Sequence, residues 1–361
     1  MAQPGRGGPR NPLDRPLLLA VVAIHVLAIA KPVDVLFPVD AWSVGRLLLH
    51  GKVPYRSFAF EYPPLSTLAF LLPGLVPHGL AKSVLALQAL ALEGVVFLHL
   101  RAHAGAVRRY AALSFLLFPF LAGGFDAVPM AALFVGTALL AADRAEGWWV
   151  AAAGAMAKVS PGLVWVWGRG HLRVALVSLG VTAAVLLAPV ALARHRDDDW
   201  LTYNIDRGVQ VESVAATTTW LARQVNGHPS SYPYRFKAFE IDGASREAAV
   251  WAVTGGLGLL WIAARAKGRD AWELSLLAVD VFLVASKVLS PQYLAWTAPL
   301  AAVVGGPVFL VHLVMAGLTV VAYTVVSGRQ AILAVAAVRN LVLVGTVAVG
   351  LWRLRRAAPE R

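Results

Sequence analysis

Three carboxylates stand close together in one polar stretch, residues 34–65, of a chain with few acids: Asp34, Asp40 and Glu61. An ionised Asp beside an apolar face can act as a general base towards a hydroxyl. Asp40 directly precedes AWSVGRLLL, residues 41–49, amphipathic enough for a short interfacial helix ended at Gly51. A carboxylate at such a helix start gains from the helix dipole and stays ionised. Asp40 also reads as a plain cap on a solvated loop. Composition alone favours the cap, and favours it more strongly for Asp34. Glu61-Tyr62-Pro63-Pro64 sets an acid immediately before an apolar segment, costly unless the acid is paired or holds a ligand; simple helix-start punctuation is the other reading.

Other runs supply donors. In Ser286–Trp296 (SKVLSPQYLAW), Lys287 and the hydroxyls of Ser290 and Tyr293, with Gln292 between them, suit a phosphate. A Pro-broken helix junction with a snorkelling lysine is the alternative. Asn204–Val214 (NIDRGVQVESV) mixes Arg207, Gln210 and Glu212 with a hydroxyl, as sugar binding requires. It could equally be a surface loop with local ion pairs worth about 0–1 kcal/mol each. Lys158 and Arg339 lie inside apolar runs, where a cation costs about 2.5 kcal/mol or more, so both are functional candidates. Arg339 sits about eight residues, or ~12 Å, below the outer end of its span, within reach of a lipid phosphate. Asp126 starts another span as a counter-ion or cap. No HxxxH, HExxH or Walker-type loop occurs, so neither a zinc site nor nucleotide hydrolysis is supported. No metal and no cofactor is expected.

The elements that must hold these residues are membrane helices. Of 361 residues, 58% are hydrophobic and 14% charged, and mean hydropathy is +0.67. Soluble domains carry about a quarter charged residues. The apolar runs are continuous rather than alternating, which argues against a β-barrel. With no cysteine, disulfides and thiolate chemistry are excluded. The net charge of +12 is gathered at helix ends (Arg101, Arg108 and Arg109; Arg265, Lys267 and Arg269; Arg353, Arg355 and Arg356). That is the positive-inside pattern, with anionic lipid headgroups rather than nucleic acid as counter-charge.

Residues 1–15 read as a disordered cytoplasmic tail, 16–352 as one integral membrane domain and 353–361 as a second tail. Residues 16–30 form the first apolar run; Ala28-Ile29-Ala30 resembles a signal-peptidase site, but an uncleaved anchor is favoured. A short helix near the outer interface is expected over 63–77. Further spans are expected over 79–100, 108–122, 126–142, 148–158, 161–168, 171–193, 247–265, 271–289, 291–305, 307–327 and 331–352. The Lys158–Pro161 break predicts two half-helices that dip in and return; a single kinked span would invert the sidedness of every later span. With the broken pair the chain crosses about 12 times, counting half-membrane helices. Both termini are then inside, and the polar segments 31–78 and 194–246 outside.

Taken together, Asp40 with its short helix, Gly51, Pro54-Tyr55 and Glu61-Tyr62-Pro63-Pro64 resemble the start of glycosyltransferase family 87, the polyprenol-phosphate-mannose-dependent transferases. The Arg207–Ser213 run, the Ser290–Trp296 run and Lys158 before Pro161 look like later stations of that family. The resemblance covers most of 16–352. It implies an all-α polytopic C-type glycosyltransferase fold with interfacial helices in the first outer loop, in the plasma membrane. It also implies an outer-face active site, a polyprenyl-phosphate-linked sugar as donor and a lipid or glycan acceptor. Asp40 matches the family's catalytic Asp. Lys287, Ser290, Gln292, Tyr293, Arg339, Lys158 and Arg207 become donor-side candidates, and Glu61, Tyr62, Tyr55, Gln210, Glu212 and Asp126 acceptor- or sugar-side ones. The family's aromatic residue four positions after the Asp is here Val44, with Trp42 nearby. Mannose is the family default, with another polyprenyl-linked sugar open. The rival readings are a lipid or sugar flippase using the same cavity and a non-catalytic membrane partner.

Overall fold

The computed structural model describes residues 40–193, 199–326 and 328–356, with positions 16, 19, 21–23 and 26 of an earlier helical stretch. Asp34, the Ala28–Ala30 motif, the tail 1–15 and residues 357–361 lie outside the described residues. From Asp40 onward the helices are α1 (Ala41–Leu49), α2 (Thr67–Leu75), α3 (Ala81–Leu100), α4 (Ala106–Ala122), α5 (Ala127–Ala141), α6 (Glu146–Ala157), α7 (Val164–Trp167) and α8 (Leu172–Leu192). They continue as α9 (Trp200–Asp206), α10 (Val214–Val225), α11 (Ser245–Arg265), α12 (Ala271–Ala285), α13 (Leu294–Val304), α14 (Gly306–Thr324) and α15 (Arg329–Arg356). The expectation of an all-helical chain needs one correction. Strands β1 (Tyr234–Arg235) and β2 (Ala238–Phe239) pair as a small antiparallel hairpin in the second polar segment.

Among the described residues five segments are long and apolar enough to cross a membrane: His78–Leu100, Leu172–Ala191, Ser245–Arg265, Gly306–Thr324 and Arg329–Arg356. Their outward faces agree with that. Leu172, Leu176 and Leu187 on α8, and Val253, Leu257 and Leu260 on α11, are exposed; stripes of this kind are stable against hydrocarbon, where a helix satisfies its own backbone. α12 ends at Ala285, earlier than the expected 289, because the polar junction before Pro291 takes over. α15 continues to Arg356, so the expected tail begins as helix; its terminal Arg353, Arg355 and Arg356 suit the negative end of the helix dipole.

The central packing unites α3, α4, α5, α12 and α13 around Leu100, Leu117, Phe118, Phe134, Leu283 and Trp296. Several polar groups inside it satisfy one another. Glu93 accepts from Tyr110 (3.0 Å) and Ser114 (2.7 Å), Thr137 meets Ser275 (2.9 Å), and His312 Nε2 faces Asp280 Oδ1 (3.3 Å).

Two local features position the site. Short α1 packs flat on α2 because Gly45 meets Gly74: a Cβ on Gly45 would collide with the Phe70 carbonyl oxygen. The second is the break at 158–163. α6 ends at Lys158, a four-residue 3-10 turn occupies Ser160–Leu163, and the chain then goes back. Gly168 lies against the Trp148 ring, and His171 Nε2 is 2.9 Å from the Asp143 carbonyl oxygen at the start of the hairpin. The segment therefore enters and returns on the same side, as the Lys158–Pro161 break suggests, with Lys158 at its tip.

Candidate functional site

A cavity of about 410 Å³ opens between the tip of the broken pair, the α12–α13 junction, α9 and the β1–β2 hairpin. A smaller pocket of about 220 Å³ adjoins it, formed by Asp40 and Val44 with Ala59 and Phe60, and the two share Glu61, Tyr62, Tyr203 and Lys237 as a common wall.

Asp40 caps α1, accepting from the Ser43 amide at 3.0 Å, and is exposed. The other two acids of the site are paired. Glu61 receives Lys237 at 3.0 Å. Asp126 receives Lys158 at 2.7 Å and the Trp296 indole at 3.1 Å. Among the described residues Asp40 is thus the acid of this site with no cation on it. Pairing also resolves the cost of a lysine inside an apolar run. The Lys158 ammonium lies 4.5 Å from the Tyr293 ring, 5.0 Å from Trp296 and 5.3 Å from Phe125, within cation–π range.

The α12–α13 junction is built by its own chemistry. Lys287 reaches across to the end of α9, donating to the carbonyls of Ile205 (2.7 Å) and Arg207. It acts there as a cationic C-cap. Its own carbonyl accepts from the Gln210 amide at 2.9 Å. Burial, and then the nearby Arg207 charge, lower the Lys287 pKa. Tyr62 titrates well above an ordinary tyrosine because it is buried and faces Glu61 and Asp126. It therefore stays a neutral donor.

Several polar atoms in this wall have no partner. Among the described residues Arg207 Nε, Ser160 Oγ and Gln292 Oε1 are buried without a hydrogen-bond partner, and all three residues line the cavity. Unsatisfied buried polar atoms are rare and call for a ligand or water. With Lys158 and Lys237 engaged by carboxylates and Lys287 by backbone, Arg207 is the cation most available to an anion.

The fold thus gathers nine sequence-derived candidates on one cavity: Lys158, Arg207, Lys287, Ser290, Gln292, Tyr293, Glu61, Tyr62 and Asp126. Asp40 stands in the adjoining pocket. Four others do not line either space. Arg339 is 1% exposed and donates to the Glu212 carbonyl oxygen (2.7 Å) and to Asn340. This is a correction to its expected reach for a lipid phosphate: its guanidinium turns inward and holds the second polar segment. Glu212 belongs to the same cluster, taking the Tyr323 hydroxyl, and burial raises its pKa. Gln210 is buried under Ser290, which donates to its Oε1 at 3.3 Å. Tyr55 is buried and donates to the Tyr62 carbonyl at 2.6 Å. These four support the wall from behind.

Sequence reasoning missed Lys237, Tyr203, Trp200, Phe236 and Ser160, which also line the cavity. Phe236 and Lys237 form the two-residue turn of the hairpin, both with positive φ (47° and 60°). That turn ordinarily takes Asn-Gly, and strained non-glycine residues gather at functional sites. The alternation of aromatic and cation in Tyr232–Lys237 (YPYRFK) was the available signal. Among the described residues no cluster of His, Cys, Asp or Glu could hold a metal ion.

Comparison with protein-family models, curated proteins and solved structures gives no match to this chain.

Proposed function

We propose that the chain is an integral membrane glycosyltransferase that moves a sugar, mannose by family resemblance, from a polyprenyl-phosphate donor to an acceptor hydroxyl. The observation that carries this is one cavity lined by residues with orphaned polar atoms, Arg207 among them, beside a pocket that holds Asp40 with no cation on it. A sugar phosphate suits that arrangement. The phosphate meets Arg207, and the aromatic wall of Tyr203, Phe236 and Trp200 gives apolar faces for the sugar ring or the first isoprene units. The acceptor enters the smaller pocket, so its hydroxyl and the leaving phosphate approach the sugar from opposite sides.

In this mechanism Asp40 takes the proton of the acceptor hydroxyl as its oxygen bonds the anomeric carbon, while the bond to the phosphate oxygen breaks. The centre inverts, and polyprenyl phosphate leaves as an anion that needs no general acid. Arg207 stabilises the charge growing on that phosphate. Lys287 contributes indirectly, by fixing the end of α9 that carries Arg207.

The test is transfer by purified protein from labelled polyprenyl-phosphate mannose to a membrane lipid extract. Asp40→Asn keeps the cap, since Asn and Asp cap equally well, and is expected to bind donor yet lose transfer. Transfer at the wild-type rate in that variant overturns the proposal. A second reading, a lipid or sugar flippase, draws on the buried Asp280–His312 pair between α12 and α14, because intramembrane ionisable residues often mark transport paths. Exchange of labelled donor across vesicles without a new glycosidic bond selects it.

A further inference from the structure

A second and larger cavity, about 610 Å³, lies at the other end of the bundle between α12, α14 and α15. It shares no residue with the first. Leu276, Leu277, Val308, Val311, Val342 and Val349 form most of its wall. Its charged residues are unevenly placed. Asp280 sits deep and faces His312 at 3.3 Å, both side chains 2% exposed, so that acid is already engaged. Among the described residues Arg269 and Arg353 stand at the mouth with one acid, Glu273. Arg269 donates to the Leu354 carbonyl oxygen, tying the start of α12 to the end of α15. Arg353 is exposed, and Arg355 and Arg356 follow it in sequence after Leu354.

We infer that this cavity is a lipid site that takes one acyl chain of an anionic phospholipid, with the headgroup phosphate held at the mouth by Arg353 and Arg269. The dimensions favour an acyl chain: along α15 the wall runs from Arg353 up to Val342, about 16 Å at helical rise. Bilayer hydrocarbon is as apolar as the cavity wall, so moving a chain from one to the other gains little. Selectivity must therefore come from the headgroup, and a mouth whose described residues are two cations and one acid selects negative charge. The site is independent of the glycosyltransferase proposal, because none of its residues is assigned a part in transfer.

The experiment uses the full chain, reconstituted in vesicles of equal phosphatidylglycerol and phosphatidylcholine with a trace of polyprenyl phosphate. The protein is then extracted into mild detergent, and the lipid that stays bound is identified by mass spectrometry. Wild type is expected to retain phosphatidylglycerol over phosphatidylcholine in a ratio of about five to one, in keeping with the attraction of a surface cation for anionic lipid. Arg353→Glu, at an exposed helix end, is expected to remain folded by thermal melt and lose that preference. Val342→Trp, which fills the cavity, is expected to lose the bound lipid itself. Retention in proportion to vesicle composition overturns the inference. So does unchanged retention in Arg353→Glu, or polyprenyl phosphate as the retained species. If Val342→Trp does not fold, Arg353→Glu alone decides.

Discussion

The two cavities are built from opposite materials. The one beside Asp40 has four cations, two carboxylates and a ring of aromatic side chains, and three of its buried polar atoms have no partner. The one between α12, α14 and α15 is larger, but its wall is aliphatic and its deep acid is paired. Size does not locate the chemistry here. Unfinished hydrogen bonding does, because a polar atom buried without a partner is costly unless a ligand completes it. Aliphatic walls with unpaired charge only at the rim and a deep acid already paired suit a hydrocarbon chain.

The sharpest way to break this contrast is Asp40→Asn. Its transfer rate is expected to fall by about 10²–10⁴-fold, the usual worth of a general base, with the thermal melt unchanged. Next comes Arg207→Ala, expected to lower single-turnover transfer by about 10²–10³-fold, as for loss of one donor to a developing anion. Arg353→Ala in the same assay is the control from the other cavity. If both Arg variants fall equally, the division of labour is wrong.

Gly45→Ala tests whether the α1–α2 contact aims Asp40. The new methyl cannot fit against the Phe70 carbonyl oxygen, so α1 must lift. Displacement of about 1 Å can cost up to roughly 10²-fold in rate. The readout is a fall in kcat with donor binding retained.

A fourth effect is smaller and depends on pH. Burial and Arg207 lower the Lys287 pKa, so its ammonium is lost at a pH below that of an ordinary lysine. Transfer is expected to decline across that alkaline window as the cap on α9 weakens. Lys287→Arg, which stays charged, should move the decline upward. The sign for stability is opposite. Between the lowered folded value and the ordinary unfolded one the unfolded chain binds more protons, so this group's contribution makes the fold more stable as pH rises. Activity and melting temperature should therefore diverge in this range, and parallel curves would remove Lys287 from the account. The smallest effect is expected from Val342→Trp, which should change transfer by less than about twofold because distant sites act independently.

Much of the fold was legible because hydrocarbon leaves a chain few choices. Continuous apolar runs became helices, and the span edges at 79–100 and 247–265 fell within two residues of α3 and α11. The Asp40 cap and the reversal at Lys158–Pro161 were equally local, set by a side chain reaching its own helix start and by a ring that removes a backbone donor. Arg339 was not legible in this way. Its position along α15 gave a depth but not a direction. The direction was set by the Glu212 carbonyl, 127 residues away in sequence. Tyr55 likewise looked like a site residue, and packing made it a support for the Tyr62 backbone.

By itself, then, the sequence determined the helices, their polar junctions and the acid that stands before α1. Local hydrogen bonding and the absence of water decide those. Tertiary structure alone decided which charges neutralise one another: Lys158 with Asp126 and Lys237 with Glu61, while Arg207 and Asp40 keep theirs. Charge pairing depends on distances across the bundle that no spacing along the chain encodes.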